Sequence, residues 1–157
     1  MAALLTVAAV AAGSASADTA GSTKIVPFTA TYAGKATVIQ SDQIATITSA
    51  GVGKGTPIGA GKLTGKGVGA AAAVQCNPFN GTGTITGLKG AKINFKMSSA
   101  QACGDGDPPE MFTITGRAIV AGGAGAYKKA KGNLKVVGNW RKSTGAFSIK
   151  FIGKLTV

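Results

Sequence analysis

Residues 146–157 read AFSIKFIGKLTV. Phe147, Ile149, Phe151, Leu155 and Val157 fall on one side of a two-residue period. Ser148, Lys150, Lys154 and Thr156 fall on the other, with Ile152 the lone exception. Successive side chains of a strand point to opposite faces, so this pattern describes a strand with one dry face and one wet face. AKINFKM (residues 91–97) repeats it, with Ile93, Phe95 and Met97 inward and Lys92, Asn94 and Lys96 outward. EMFTITGRAIV (110–120) does so again. Phe112, Ile114, Ala118 and Val120 alternate there with Thr113, Thr115 and Arg117.

Working outward, further strands are expected over 25–32, 35–40, 43–49, within 56–64, over 67–76 and over 81–88. Breaks are expected at Gly34, Asn80-Gly81, Gly90 and Thr144-Gly145, where turn residues cluster. Ala70 to Val74 also fits a short helix, because alanine favours one. No segment sustains a helical period. Short alternating strands at hairpin spacing make an all-β barrel or sandwich. A length of 157 residues suits one domain. The 25 glycines follow no collagen period. Glycine weakens a strand interior unless curvature or close packing requires it, as at the corners of a small closed barrel.

The first seventeen residues, MAALLTVAAVAAGSASA, carry no charge and end in Ala15-Ser16-Ala17, a small-x-small cleavage pattern. The apolar run from Leu4 to Ala12 is shorter than the roughly 20 residues a membrane span needs. The expectation is a signal peptide over 1–17, without the usual basic start, and a single barrel domain over 18–157. The protein is then secreted, or held in the periplasm or cell wall. Cys76 and Cys103 fit that route, since an even pair in an oxidising compartment forms a disulfide.

Seventeen basic residues against five acidic ones give a net charge of +12. Such a balance favours anionic partners. Lys92, Lys96, Lys129, Lys131, Lys135, Lys150 and Lys154 are expected on the wet face, where they could hold an anionic cell-wall polymer or a membrane surface. Nucleic acid is disfavoured, because stacking needs aromatics beside the basic groove. Tyr32, Tyr127 and Trp140 are too scattered for that.

The sequence contains no histidine, which removes the Ser-His-Asp triad, the Cys-His dyad and histidine-bearing zinc sites. Asp105, Asp107 and Glu110 cluster in CGDGDPPE. Their spacing lacks the further ligands of a calcium loop and reads as ordinary turn chemistry. GVGKGTPIGAGKLTGKGVGA (51–70) looks like a phosphate loop but departs from G-x-x-x-x-G-K-[ST]. Lys62 is followed by Leu63, and Lys66 by Gly67. A flexible basic loop or a hairpin is expected there. Asn80-Gly81-Thr82 is a glycosylation sequon that also reads as a turn pair, and the turn is preferred. No catalytic residue, metal site or cofactor is assigned.

Between two of the strands lies AGGAGAYKKAKGNLKV (121–136). Gly122, Gly123, Gly125 and Tyr127, followed by Ala130 and Gly132, resemble the G-G-T-G-[KR]-[FY]-x-x-A-x-G pattern of dirigent proteins and allene oxide cyclase-like barrels. Ala124 replaces the usual threonine and Ala126 the usual basic residue. The resemblance extends over Gly81–Val157. It implies an eight-stranded antiparallel β-barrel, often oligomeric, with an apolar cavity in some members. No residue matches that group's catalytic positions, so no catalytic role is carried over.

Three functional expectations follow. The first is a non-catalytic protein holding a small apolar ligand in a lumen lined by Ile93, Phe95, Met97, Phe112, Ile114, Phe147, Ile149 and Phe151. The same eight residues would equally fill a solid core. The second is a cationic protein binding anionic polymer or lipid through its outer lysines. The third is a cyclase or dirigent-like activity, which needs a polar pair inside the barrel that the sequence does not supply.

Overall fold

The structure is a computed structural model and describes residues 23–71 and 75–157. The signal-peptide reading over 1–17 and the alternatives for Ala72 to Val74 lie outside the described residues.

Eight antiparallel strands close into a barrel in simple up-and-down order. They are β1 (Ile25–Ser41), β2 (Ile44–Thr56), β3 (Gly59–Ala70), β4 (Cys76–Thr86), β5 (Lys92–Asp105), β6 (Met111–Ala124), β7 (Lys131–Arg141) and β8 (Ala146–Thr156). Short 3₁₀ turns, Leu88–Gly90 and Gly125–Tyr127, join β4 to β5 and β6 to β7. Closure comes from β1 pairing with β8, from Ile25↔Thr156 to Lys35↔Ala146. Closing the sheet leaves no edge whose amides could pair with another chain.

Several sequence expectations change. The runs 25–32 and 35–40 are one strand, and Gly34 lies inside it rather than at a break. A side chain at Gly34 would collide with the Ala50 and Gly51 backbone of β2, so glycine here permits close strand approach. Of the two readings of 51–70, the structure shows the hairpin and not the flexible loop. The stretch forms the end of β2, a hairpin at Pro57 and Ile58, and all of β3. Asn80-Gly81 is not a turn either. It sits within β4 beside a register shift between Phe79 and Gly81, a β-bulge. Gly90 and Gly145 do occupy turns, with φ of 74° and 68°.

The barrel has two unlike halves. One end gathers the start of β1, the end of β4, the starts of β5 and β7 and the end of β8. Phe28, Ile85, Ile93, Leu134, Val136, Phe151 and Leu155 interdigitate there with almost no exposure. Ile58, Tyr127 and Ala130 cap this end. The outer wall carries polar side chains, led by Lys and Thr, at most positions, the reverse of the apolar outer band of a membrane-spanning barrel. Among the described residues, no helix is long and apolar enough to cross a membrane.

Candidate functional site

The other end of the barrel is hollow. A cavity of about 630 Å³ opens among the end of β1, the start of β2, the end of β3, the starts of β4, β6 and β8, and the ends of β5 and β7. Its wall is predominantly apolar, built from Ala36, Val38, Ala45, Ile47, Phe79, Ala102, Phe112, Ile114, Trp140, Phe147 and Ile149. A smaller hollow of about 90 Å³ shares Ile47, Ser49, Leu63, Phe79 and Ile149 with it and reaches Phe95, Met97 and Phe151.

The hollow follows from residue size. Inward positions on β2 and β3 are largely glycine, from Gly51 and Gly53 through Gly65, Gly67 and Gly69. Strands without side chains on their inner face leave space, and neighbouring aromatic residues come close to their backbone. Phe147 extends past Gly34, its partner in register, to Gly51, where a Cβ would meet its ring at 2.9 Å. Gly69 makes room for its partner Phe79, whose Cβ a Cβ there would meet at 2.9 Å.

The mouth is tied at three points. Cys76 and Cys103, register partners on β4 and β5, form a disulfide. Trp140 Nε1–H donates to the Ala36 carbonyl across 3.4 Å, and its ring packs on Phe112 with centroids 5.3 Å apart. The Glu110 carboxylate accepts the Ser143 N–H at 3.2 Å and the Ser143 hydroxyl, clamping the start of β6 to the β7–β8 turn. The Ser143 hydroxyl, helped by Arg141 and Lys142, holds the Glu110 carboxyl below its ordinary value.

The eight residues expected to face inward all do so, but they divide between the two halves. Phe112, Ile114, Phe147 and Ile149 line the main cavity. Phe95, Met97 and Phe151 line the smaller hollow, and Ile93 belongs to the packed core. The expected lysines Lys92, Lys96, Lys129, Lys131, Lys135, Lys150 and Lys154 are all exposed. Of the motif's glycines only Gly125, with φ of 62°, belongs to the β6–β7 turn; Gly122, with φ of 78°, and Gly123 lie inside the end of β6 rather than in a turn, and Tyr127 is buried. This motif plugs the packed end, far from the cavity. Ala36, Val38, Ile47, Phe79 and Trp140 were not singled out from the sequence. Trp140 was within reach, because it continues the inward series Leu134, Val136, Gly138 on β7.

Polar groups at the mouth include Gln40, Gln75, Asn77, Asp107 and Lys142. Asp42, Asp105, Asp107 and Glu110 are exposed, and no metal-binding cluster of His, Cys, Asp and Glu occurs among the described residues. The arrangement can therefore hold an apolar body inside and fix a polar end at the rim. Comparison with protein-family models, curated proteins and solved structures finds no match to this chain.

Proposed function

We propose that this chain is a non-catalytic binding protein that holds one small apolar molecule in the open half of its barrel. The observation that carries this reading is the cavity of about 630 Å³ with its apolar wall and polar rim. Ligand sites typically span about 300–1,000 Å³ and combine such a wall with a few polar anchors. An unfilled apolar hollow also forfeits packing contacts, so an occupant gains what the protein gave up. The motif likeness to dirigent and allene oxide cyclase-like barrels supports a lumen-based role. The cross-strand disulfide supports export to an oxidising compartment.

Native mass spectrometry on the full chain, purified without denaturation from its producing cells, tests the reading. A non-covalent adduct of defined mass, lost on collisional activation, is the expected result. A bare chain that also fails to take up added apolar probes would contradict it.

A further inference from the structure

Charge is sorted along the barrel axis. The four described carboxylate side chains, Asp42, Asp105, Asp107 and Glu110, all lie in connections or strand ends at the cavity mouth. The packed end carries Lys24, Lys89, Lys92, Lys128, Lys129 and Lys131, all exposed, and no Asp or Glu among the described residues. These lysines sit beside three of the four corners of that end, the β2–β3 hairpin carrying none of them. Lys24 pairs its backbone with Val157 beside β8. Lys89 and Lys92 flank the β4–β5 turn, and Lys128, Lys129 and Lys131 follow the Gly125–Tyr127 turn. Among them stand two bare apolar side chains, Leu88 at 60% exposure and Ile25 at 67%.

We propose that the packed end is a docking surface for an anionic lipid bilayer, so that the cavity mouth faces away from the membrane. This cluster of lysines supplies attraction to anionic headgroups, each adding a similar increment near the surface. Leu88 adds what a soluble polyanion could not use, an apolar group that gains by entering the headgroup–acyl boundary. The mouth has apolar groups of its own on the outer wall, Ile39, Ile44 and Val68. That end also holds the four described carboxylates, which an anionic surface repels and which outnumber Arg141 and Lys142 beside them. The charge asymmetry therefore selects the packed end. The proposal is independent of what the cavity holds.

Co-sedimentation of the full chain with phosphatidylcholine vesicles, with and without phosphatidylglycerol, reads the attraction. Binding is expected only with phosphatidylglycerol. The triple variant Lys89→Gln, Lys128→Gln, Lys129→Gln should lose on the order of 100-fold in partitioning. Lys35→Gln, Lys66→Gln, Lys150→Gln removes the same charge from the wall and should lose less than about tenfold, because those sites lie beyond a screening length of the membrane. Leu88→Ser should weaken vesicle binding about tenfold and leave binding to inorganic polyphosphate unchanged. Trp140, the single tryptophan, lies at the mouth and should resist quenching by brominated lipid. Circular dichroism and melting of each variant confirm that it is folded. Equal losses in the two triple variants, an inert Leu88→Ser on vesicles, or strong quenching of Trp140 would each overturn the proposal. An inert Leu88→Ser with retained polyphosphate binding would assign the lysines to a soluble polyanion instead.

Discussion

The tip of the Phe95 ring rests against Gly83, its register partner on β4. A Cβ at Gly83 would fall inside the contact radius of Phe95 Cζ and 2.9 Å from both Cε atoms. The same pairing of bare backbone with a large partner recurs at Gly53 with Tyr32, Gly132 with Leu155 and Gly153 with Leu134. Part of the barrel interior is built by setting a glycine opposite a bulky inward residue, while Leu63, Ile85 and Ile93, and Val136 and Phe151, pair bulky with bulky. Where both neighbours are small, the cavity remains.

Gly83→Ala should therefore destabilise the fold by about 1–3 kcal/mol through overpacking, read from the denaturant midpoint. Gly65→Ala is the matched control. Its Cβ meets only the Ser49 Oγ at 2.7 Å and the Thr82 carbonyl at 3.6 Å, and the serine can rotate away. That change should be neutral or stabilising by about 0.5 kcal/mol, since alanine narrows the unfolded ensemble. Equal costs at the two sites would contradict the pairing argument.

Tyr32 is fully buried, packs edge-on against Phe151 and makes no hydroxyl hydrogen bond among the described residues. A buried hydroxyl without a partner carries its desolvation cost uncompensated. Tyr32→Phe should stabilise by about 1–2 kcal/mol. Burial also pushes the Tyr32 hydroxyl up to about 12 from 10.0. The unfolded chain releases that proton first as pH rises, so this contribution is intact below pH 10 and is lost on the way to 12. Tyr32→Phe should flatten that alkaline limb in melting scans, leaving the smaller slope of Tyr127, whose hydroxyl burial also raises.

At the acid end, Glu110 has the opposite sign. Its folded value is lowered by the Ser143 hydroxyl, so its contribution is present above the ordinary value of 4.5 and is lost as pH falls through the folded value. Glu110→Gln should reduce the steepness of the melting temperature against pH below about 5, with a small effect at neutral pH because the pair is exposed. An unchanged acid limb would show that the Ser143 contact does not form in solution.

The disulfide joins residues 27 apart in sequence across β4 and β5. Closing a loop of that size constrains the unfolded chain by about 3.5 kcal/mol in the chain-entropy account. Cys76→Ser with Cys103→Ser should lower stability by about that amount. It should also weaken cavity binding, because Asn77 and Ala102 beside the cysteines line the mouth. A variant that keeps full stability would assign the strand pairing alone as sufficient.

The sequence revealed the fold most clearly where inward residues were large. The alternation of Phe147, Ile149 and Phe151 against Ser148 and Lys150 marked β8 directly. It left the end of β2 and most of β3 open between loop and hairpin, because their inward residues are largely glycines, which carry no hydrophobic signature. The period of two was still present, with Val52, Lys54, Lys62, Lys66 and Val68 outward between glycines. Gly34 and Asn80-Gly81 misled for a related reason. Residues that make turns also permit close backbone approach and bulges inside a strand. Whether the lumen was hollow could not be read from Ile93 or Phe95, which fill the packed half. It depended on the small residues Ala36, Ala45, Ser49 and Gly69 coming together on the neighbouring strands β1, β2 and β3, a relation set by register.

The central claim is that the open half binds an apolar molecule, and Trp140 in its wall reports on it directly. Titrating the full chain with N-phenyl-1-naphthylamine should quench Trp140 emission by energy transfer and saturate at one equivalent. Ala36→Phe, which fills the cavity beneath the tryptophan, should abolish saturable quenching while the protein still melts cooperatively. Absence of saturation in the native chain, or equal binding by folded Ala36→Phe, would contradict a lumen site.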